Sequence, residues 1–170
     1  MKRHLILVGL PGAGKSTVAA LVAERLDTHA TDIDPVLERA AGMSVADVFA
    51  SLGEPAFRER EREAVVQALY LPPHVIAPGG GWAAEPGNLE TVAGRALVIH
   101  LAVSPAEAAG RLGAAADRPL LAGDPLARLT ELARQREPAY GRADASVDAG
   151  DPAPIVADRV VAVARRAGGW

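Results

Sequence analysis

The stretch Gly9-Leu10-Pro11-Gly12-Ala13-Gly14-Lys15-Ser16-Thr17 decides the fold of this chain. It fits the pattern G-x-x-x-x-G-K-[ST], a loop whose glycines let backbone N–H groups converge on an anion at the positive end of a helix. Its surroundings suit that role. Leu5-Ile6-Leu7-Val8 before it is an apolar run suited to a buried parallel strand. Val18 to Asp27 after it has helical spacing, with Val18, Leu21, Val22 and Leu26 on one face. The reading is a loop for a nucleoside triphosphate, with Lys15 reaching the β- and γ-phosphates and the Ser16 hydroxyl ligating Mg2+. An ordinary glycine turn is the bland alternative, and the complete pattern in a strand-to-helix setting speaks against it.

With 170 residues the chain is long enough for one substantial core and short for two ordinary domains. Hydrophobic residues make up 49% and aromatics only 4%, so the core is expected to consist of Leu, Val, Ile and Ala. A net charge of −3 argues against nucleic acid as a partner. Cysteine is absent, which removes disulfides and thiol nucleophiles and fits a reducing compartment. Met1-Lys2-Arg3-His4 and the following apolar run resemble a leader peptide, but the run ends too soon in Pro11-Gly12 for a membrane span or a secretory core. A cytoplasmic protein without membrane attachment is the expectation.

Strand signals recur with helices between them, as in a parallel sheet covered on both faces. Thr28 to Ile33 holds a short second strand, and a helical region breaks at Gly42. Ser44 with Asp47 caps the next segment, Gly53 interrupts it, and Pro55 to Tyr70 reads as a long charged helix. His74 to Ala77, Ala96 to Leu101 and, more weakly, Ala145 to Asp148 complete about five strands. Ser104-Pro105, Asp124-Pro125 and Asp151-Pro152 each read as a helix start. Residues 113–123 lack a periodic pattern and contain Asp117-Arg118-Pro119-Leu120-Leu121. A loop of that length in a compact domain is usually functional or disordered.

A phosphate loop alone does not separate a kinase from a switch, a motor or a transporter. Size disfavours motors and transporters, and the sequence has no N-K-x-D guanine motif, which leaves small metabolite kinases. Asp32 and Asp34 fall at the C-terminal edge of the second strand, where ligands of doubly wound sheets bind. They suit either a hydrated Mg2+ and an acceptor hydroxyl or a turn with a helix cap. Arg58, three residues before Glu61, suits either a solvated helix face or a braced guanidinium for a carboxylate. Gly79-Gly80-Gly81 after a strand suggests close approach of backbone to a ligand, with a flexible connection as the alternative.

Taken together these motifs resemble the shikimate kinase family nearly end to end. The likeness includes the phosphate loop, Asp32-Ile33-Asp34, Gly42 to Phe49, Gly53-Glu54, Phe57-Arg58 with Glu61, and the glycine triplet. It continues through Arg118-Pro119-Leu120-Leu121, Arg136 with Tyr140, and Val147-Asp148. The resemblance implies an α/β fold: a three-layer α/β/α P-loop kinase with a central parallel sheet of about five strands and a mobile lid. It implies one domain over 1–170, with the acceptor-binding region at about 33–61 and the lid at about 113–123.

The implied activity is transfer of the ATP γ-phosphoryl group to the 3-hydroxyl of shikimate, a step of aromatic amino-acid biosynthesis. The implied catalytic residues are Lys15, Asp34 and Arg118. ATP is implied at Gly12, Ala13, Gly14, Lys15, Ser16, Thr17, Arg111, Arg118 and Pro154, and shikimate at Asp34, Arg58, Gly79, Gly80, Gly81 and Arg136. Ser16, and Asp32 through water, are the implied holders of Mg2+. Glu61 is implied to brace Arg58, and Val45, Phe49, Phe57, Pro119 and Leu120 to wall the acceptor ring. A monomer with no macromolecular partner is expected.

The sequence departs from the family pattern at Trp82 and Pro78, which flank the glycine triplet in place of small or hydroxyl residues, and in the absence of a basic residue in Asp151 to Pro154. Outward packing of Trp82 is the favoured expectation. An inward ring would point to another hydroxylated acid such as gluconate. A non-catalytic nucleotide-binding protein is disfavoured by the joint presence of Lys15, Ser16, Asp34 and Arg118.

Overall fold

The apolar run at the head of the chain becomes the central strand of a five-stranded parallel sheet. The computed structural model describes residues 1–113 and 123–170. Its elements are β1 (His4–Val8), α1 (Lys15–Arg25), β2 (Ala30–Asp32), α2 (Ile33–Ala41), α3 (Val45–Ala68), β3 (Val75–Ala77), a 3₁₀ turn (Trp82–Ala84), α4 (Asn88–Val92), β4 (Ala96–Ala102), α5 (Pro105–Leu112), α6 (Pro125–Tyr140), β5 (Ala145–Asp148) and α7 (Ala153–Ala167). Strand order is β2-β3-β1-β4-β5, and each pairing is parallel.

Every residue of β1 is buried, because it lies between β3 and β4 with helices on both faces. The two-residue strand period sends Ile6, Val8, Ile76 and Val98 into one core layer with Leu37, Val48, Phe57, Val65 and Leu129. Leu5, Leu7, Val75, Leu97 and Ile99 enter the other, where α1 and α7 supply Val18, Val22, Val156 and Val160. Each such aliphatic side chain contributes about 1.5–3 kcal/mol relative to an exposed one. The result is the expected three-layer α/β/α sandwich. Among the described residues, no helix is long and apolar enough to cross a membrane.

Several boundaries differ from the sequence reading for local reasons. Helix α1 starts at Lys15 rather than Val18, because the phosphate loop turns directly into it through Gly14 at φ +87°. It ends at Arg25, before Asp27 takes a left-handed φ of +50°. Its buried face is Val18, Ala19, Val22 and Ala23, with Leu21 and Leu26 at the margin. Gly53, at φ +77° and ψ +169°, kinks α3 one residue after Leu52, as its position suggested. Ser104 and Glu107 form a full capping box, and Asp124 caps α6. Asp151 does not cap α7: the helix opens after Pro152 without a side-chain cap, and the Asp151 carboxylate pairs with Arg159 instead.

Candidate active site

The phosphate loop leaves the C-terminal end of β1, whose neighbours β3 and β4 lie on opposite sides. This is the position at which open α/β sheets bind ligands. Gly12, at φ +84°, passes so close to α5 that a Cβ there would stand 2.5 Å from the Ala108 carbonyl oxygen. The Lys15 ammonium folds back over the loop and donates to the Gly9 and Leu10 carbonyls, each at 3.0 Å. Gly12 to Thr17 line a cleft of about 610 Å3 together with Asp32, Asp34, Gly79, Gly80 and Arg111.

At one end of this cleft Arg111 ties the phosphate loop to the segment before α7. Its guanidinium donates to the carbonyls of Ala149 at 2.6 Å, Asp151 at 3.3 Å and Ala13 at 3.4 Å. Residues 150–153 and Val156 line the cleft here. Pro154 does not share that lining; its carbonyl accepts from Arg25 at 2.9 Å.

The other end is built around the glycine triplet. Glu61, fully buried, accepts from the Gly79 N–H at 2.9 Å and from Arg58 at 2.8 Å. Burial pushes the Glu61 carboxyl up, against the pull of Arg58, while Asp34 adds to the rise. Burial also works against the Arg58 charge, but Glu61 outweighs it and leaves the guanidinium above its ordinary value. That guanidinium lies over the rings of Phe57 (5.3 Å) and Phe49 (6.0 Å), a cation–π arrangement that fixes its plane.

All three glycines are needed, each against a different side chain. A Cβ on Gly79 would overlap the Glu61 carboxylate, one on Gly80 would stand 2.9 Å from Pro11 Cδ and 3.1 Å from Arg136 Nη1, and one on Gly81 would overlap the Arg58 guanidinium. Tyr140 donates to the Gly80 carbonyl at 2.8 Å, and burial pushes its phenol up, so it remains a donor. His100 stacks on the Tyr140 ring at 4.6 Å, with its pKa lowered by burial and by Lys15. Arg58 Nε and Arg136 Nη1 are buried donors with no hydrogen-bond partner among the described residues. Buried cationic donors are rarely left so, which makes this pair a pointer to an anionic ligand.

The structure thus brings Lys15, Ser16, Asp32, Asp34 and the glycine triplet together, with Arg58 and Arg136 buried directly behind the triplet. Asp34 donates its backbone N–H to the Asp32 carboxylate at 3.3 Å, so Asp32 also caps α2. The proposed wall residues Val45, Phe49 and Phe57 pack in or against one core layer. Trp82 packs into that same layer at 1% exposure, with its indole Nε1 a third buried donor that has no partner among the described residues. Arg118, Pro119 and Leu120, with most of the expected lid, lie outside the described residues. Glu85 and Asn88 were not singled out from the sequence. No local pattern marked Asn88, which donates to the Trp82 carbonyl at 2.8 Å.

A phosphate loop at the switch point of a parallel sheet, opening onto paired aspartates and a glycine-lined end, fits an ATP-dependent small-molecule kinase of the P-loop class. The family model described as shikimate kinase matches residues 11–165. A shikimate kinase of Thermobifida fusca is 47% identical over 135 residues, covering 79% of this chain and 78% of the relative. One from Caulobacter vibrioides is 40% identical over 96% of this chain and 82% of its own length. The solved shikimate kinase from Acinetobacter baumannii in complex with shikimate superposes with a TM-score of 0.92 at 28% identity, covering 98% of this chain and 94% of that one. The chain belongs to the shikimate kinase family.

Proposed function

We propose that the chain transfers the γ-phosphoryl group of ATP to the 3-hydroxyl of shikimate, in aromatic amino-acid biosynthesis, with the site residues in the following roles. Lys15 leaves the Gly9 and Leu10 carbonyls for the β- and γ-phosphates, while N–H groups of Gly12 to Thr17 take the remaining phosphate oxygens. Arg111 and the chain around Pro154 flank the nucleotide base. Arg58 and Arg136 take the acceptor carboxylate, and the backbone of Gly79, Gly80 and Gly81 orients its hydroxyls.

Asp34 holds the reacting hydroxyl and accepts its proton as the acceptor oxygen bonds to phosphorus and the bond to the bridging β–γ oxygen breaks. Lys15 and Arg118 offset the charge on the transferred group. Ser16, and Asp32 through water, suit Mg2+, because a hydroxyl and a carboxylate line the cleft beside the phosphate loop. Mg2+ held by one hydroxyl and one carboxylate would complete its oxygen ligands with phosphate and water. When bound, Mg2+ neutralises charge on the β- and γ-oxygens.

The observation that carries the acceptor assignment is the pair of unsatisfied buried N–H groups on Arg58 and Arg136, set against the glycine triplet. We take residues 1–170 as one kinase domain with its acceptor region at about 33–61 and its lid at about 113–123, acting as a cytoplasmic monomer without nucleic-acid or membrane partners. The test is ADP release from Mg·ATP with shikimate, with gluconate and with no acceptor. Release dependent on shikimate is expected; release with gluconate alone overturns the acceptor assignment.

A further inference from the structure

Arg58 is surrounded by more acid than it needs. Glu61 holds it at 2.8 Å with a fully buried carboxylate, and Glu54 approaches at 3.4 Å. Glu85 is a third, with its carboxylate 3.7 Å from Arg58 Nε, too long for a hydrogen bond. Nε is the very donor that remains buried and unsatisfied. Glu85 therefore faces the unfilled edge of the guanidinium without bonding to it, while Glu61 and the Phe57 ring already fix its position.

The location of Glu85 is built into the fold. Its N–H donates to the Trp82 carbonyl at 3.2 Å, and its carbonyl accepts from Asn88 at 3.2 Å. The fully buried Asn88 side chain donates to the Trp82 carbonyl at 2.8 Å and accepts from Arg62 Nε at 2.8 Å. Arg62 also donates to the Pro86 carbonyl at 3.0 Å. The turn after the triplet is thus fastened to α3, the helix that carries Arg58. The Glu85 side chain itself is one-third exposed, unlike the buried Glu61.

We propose that Glu85 is a specificity-determining residue: its carboxylate stands at the edge of Arg58 in place of the acceptor's carboxylate and yields when that acceptor binds. This rests on the reading above that Arg58 receives a carboxylate. The exchange of one anion for another keeps a carboxylate at the otherwise unsatisfied Nε edge in both states, while Glu61 holds the rest of the guanidinium throughout. It also weakens acceptor affinity by the work of displacing Glu85, and it disfavours a neutral acceptor, which offers Arg58 no replacement charge.

Glu85→Gln and Glu85→Ala, assayed with shikimate and Mg·ATP, test this. Both variants should lower the acceptor KM about fivefold, the scale of one partly exposed ion pair, with kcat and the ATP KM changed less than twofold. Direct titration of shikimate without nucleotide should show the same tightening. An acceptor KM that is unchanged or raised in Glu85→Gln, or lowered in Glu85→Ala only, overturns the proposal. Wild-type protein that neither binds nor phosphorylates shikimate overturns the reading of the acceptor, a separate failure visible before any variant is made.

Discussion

The fully buried carboxylate of Glu61 accepts the backbone N–H of Gly79 at 2.9 Å, joining α3 to the loop after β3 across 18 residues of sequence. Its second oxygen holds Arg58 at 2.8 Å. One side chain therefore sets both the start of the glycine triplet and the cation behind it. Burial makes the charged form of Glu61 costly, and the structure tolerates it because Arg58 and Gly79 supply hydrogen bonds.

Removing the carboxylate strips Arg58 of its one fully buried partner, leaving the more exposed Glu54 and Glu85, and leaves the Gly79 N–H without its acceptor. Glu61→Ala should lose about 3–5 kcal/mol of stability in urea unfolding, while Glu61→Gln, which can still accept from Gly79, should lose less. The surviving Glu61→Gln enzyme should show a raised acceptor KM with the ATP KM nearly unchanged. Equal shifts in both constants would mean that Glu61 supports the fold generally and not the acceptor end.

Gly81→Ala separates close approach from flexibility as the reason for the triplet. Gly81 has no left-handed φ, so alanine costs nothing in backbone conformation, yet its Cβ would overlap the Arg58 guanidinium. The expected outcome is a tenfold or greater rise in acceptor KM, on the order of 1.4 kcal/mol, with nucleotide affinity preserved. Gly87→Ala is the contrast: nothing lies within 4 Å of its Cβ position, but φ is +84°. It should cost stability and leave the acceptor KM unchanged. A Gly81→Ala enzyme with wild-type constants would return the triplet to a simple connection.

The phosphate loop, the strand order of apolar runs and the capped helix starts were legible because each is a local pattern with a fixed period or spacing. Arg58 and Glu61 were not legible from charge pattern alone. A solvated face and a buried pair look alike in sequence, and only the family likeness separated them. Asp151 misled for a related reason: aspartate before proline suits a cap, but Arg159 claims its carboxylate. Glu85 gave no signal, since its meaning depends on a guanidinium 27 residues away in sequence that only the fold brings within 3.7 Å.

Asp34 lines the cleft with the phosphate loop, and its Oδ1 lies 3.8 Å from where a Gly79 Cβ would stand. A residue that receives the acceptor proton acts on turnover rather than on nucleotide binding. Asp34→Asn should therefore reduce kcat about a hundredfold or more, while ATP binding measured by calorimetry stays within a few-fold of wild type. Near-normal turnover would remove Asp34 from proton transfer and leave it as a turn residue beside Asp32.

Three of the four histidines stack at the opposite end of the sheet from the cleft. His74, at 0% exposure, packs face to face with His29 at 4.2 Å and edge-on to His4 at 4.9 Å. Its Nδ1 faces the Pro72 carbonyl at 2.9 Å and so carries the proton, leaving Nε2 to accept from Thr31 at 3.1 Å. Burial lowers the His74 pKa from 6.5 to about 4, and burial lowers that of His4 as well. A histidine depressed in the folded state takes up its proton more readily when unfolded. Its contribution is therefore complete above pH 6.5 and is lost as pH falls from there toward 4. For His74 alone the loss approaches about 3 kcal/mol at the acid end. Urea midpoints measured between pH 7.5 and 5, above the range where most carboxylates titrate, should fall steadily, and His74→Gln should flatten that slope. A wild-type midpoint that does not change across this window would mean that His74 is protonated without cost.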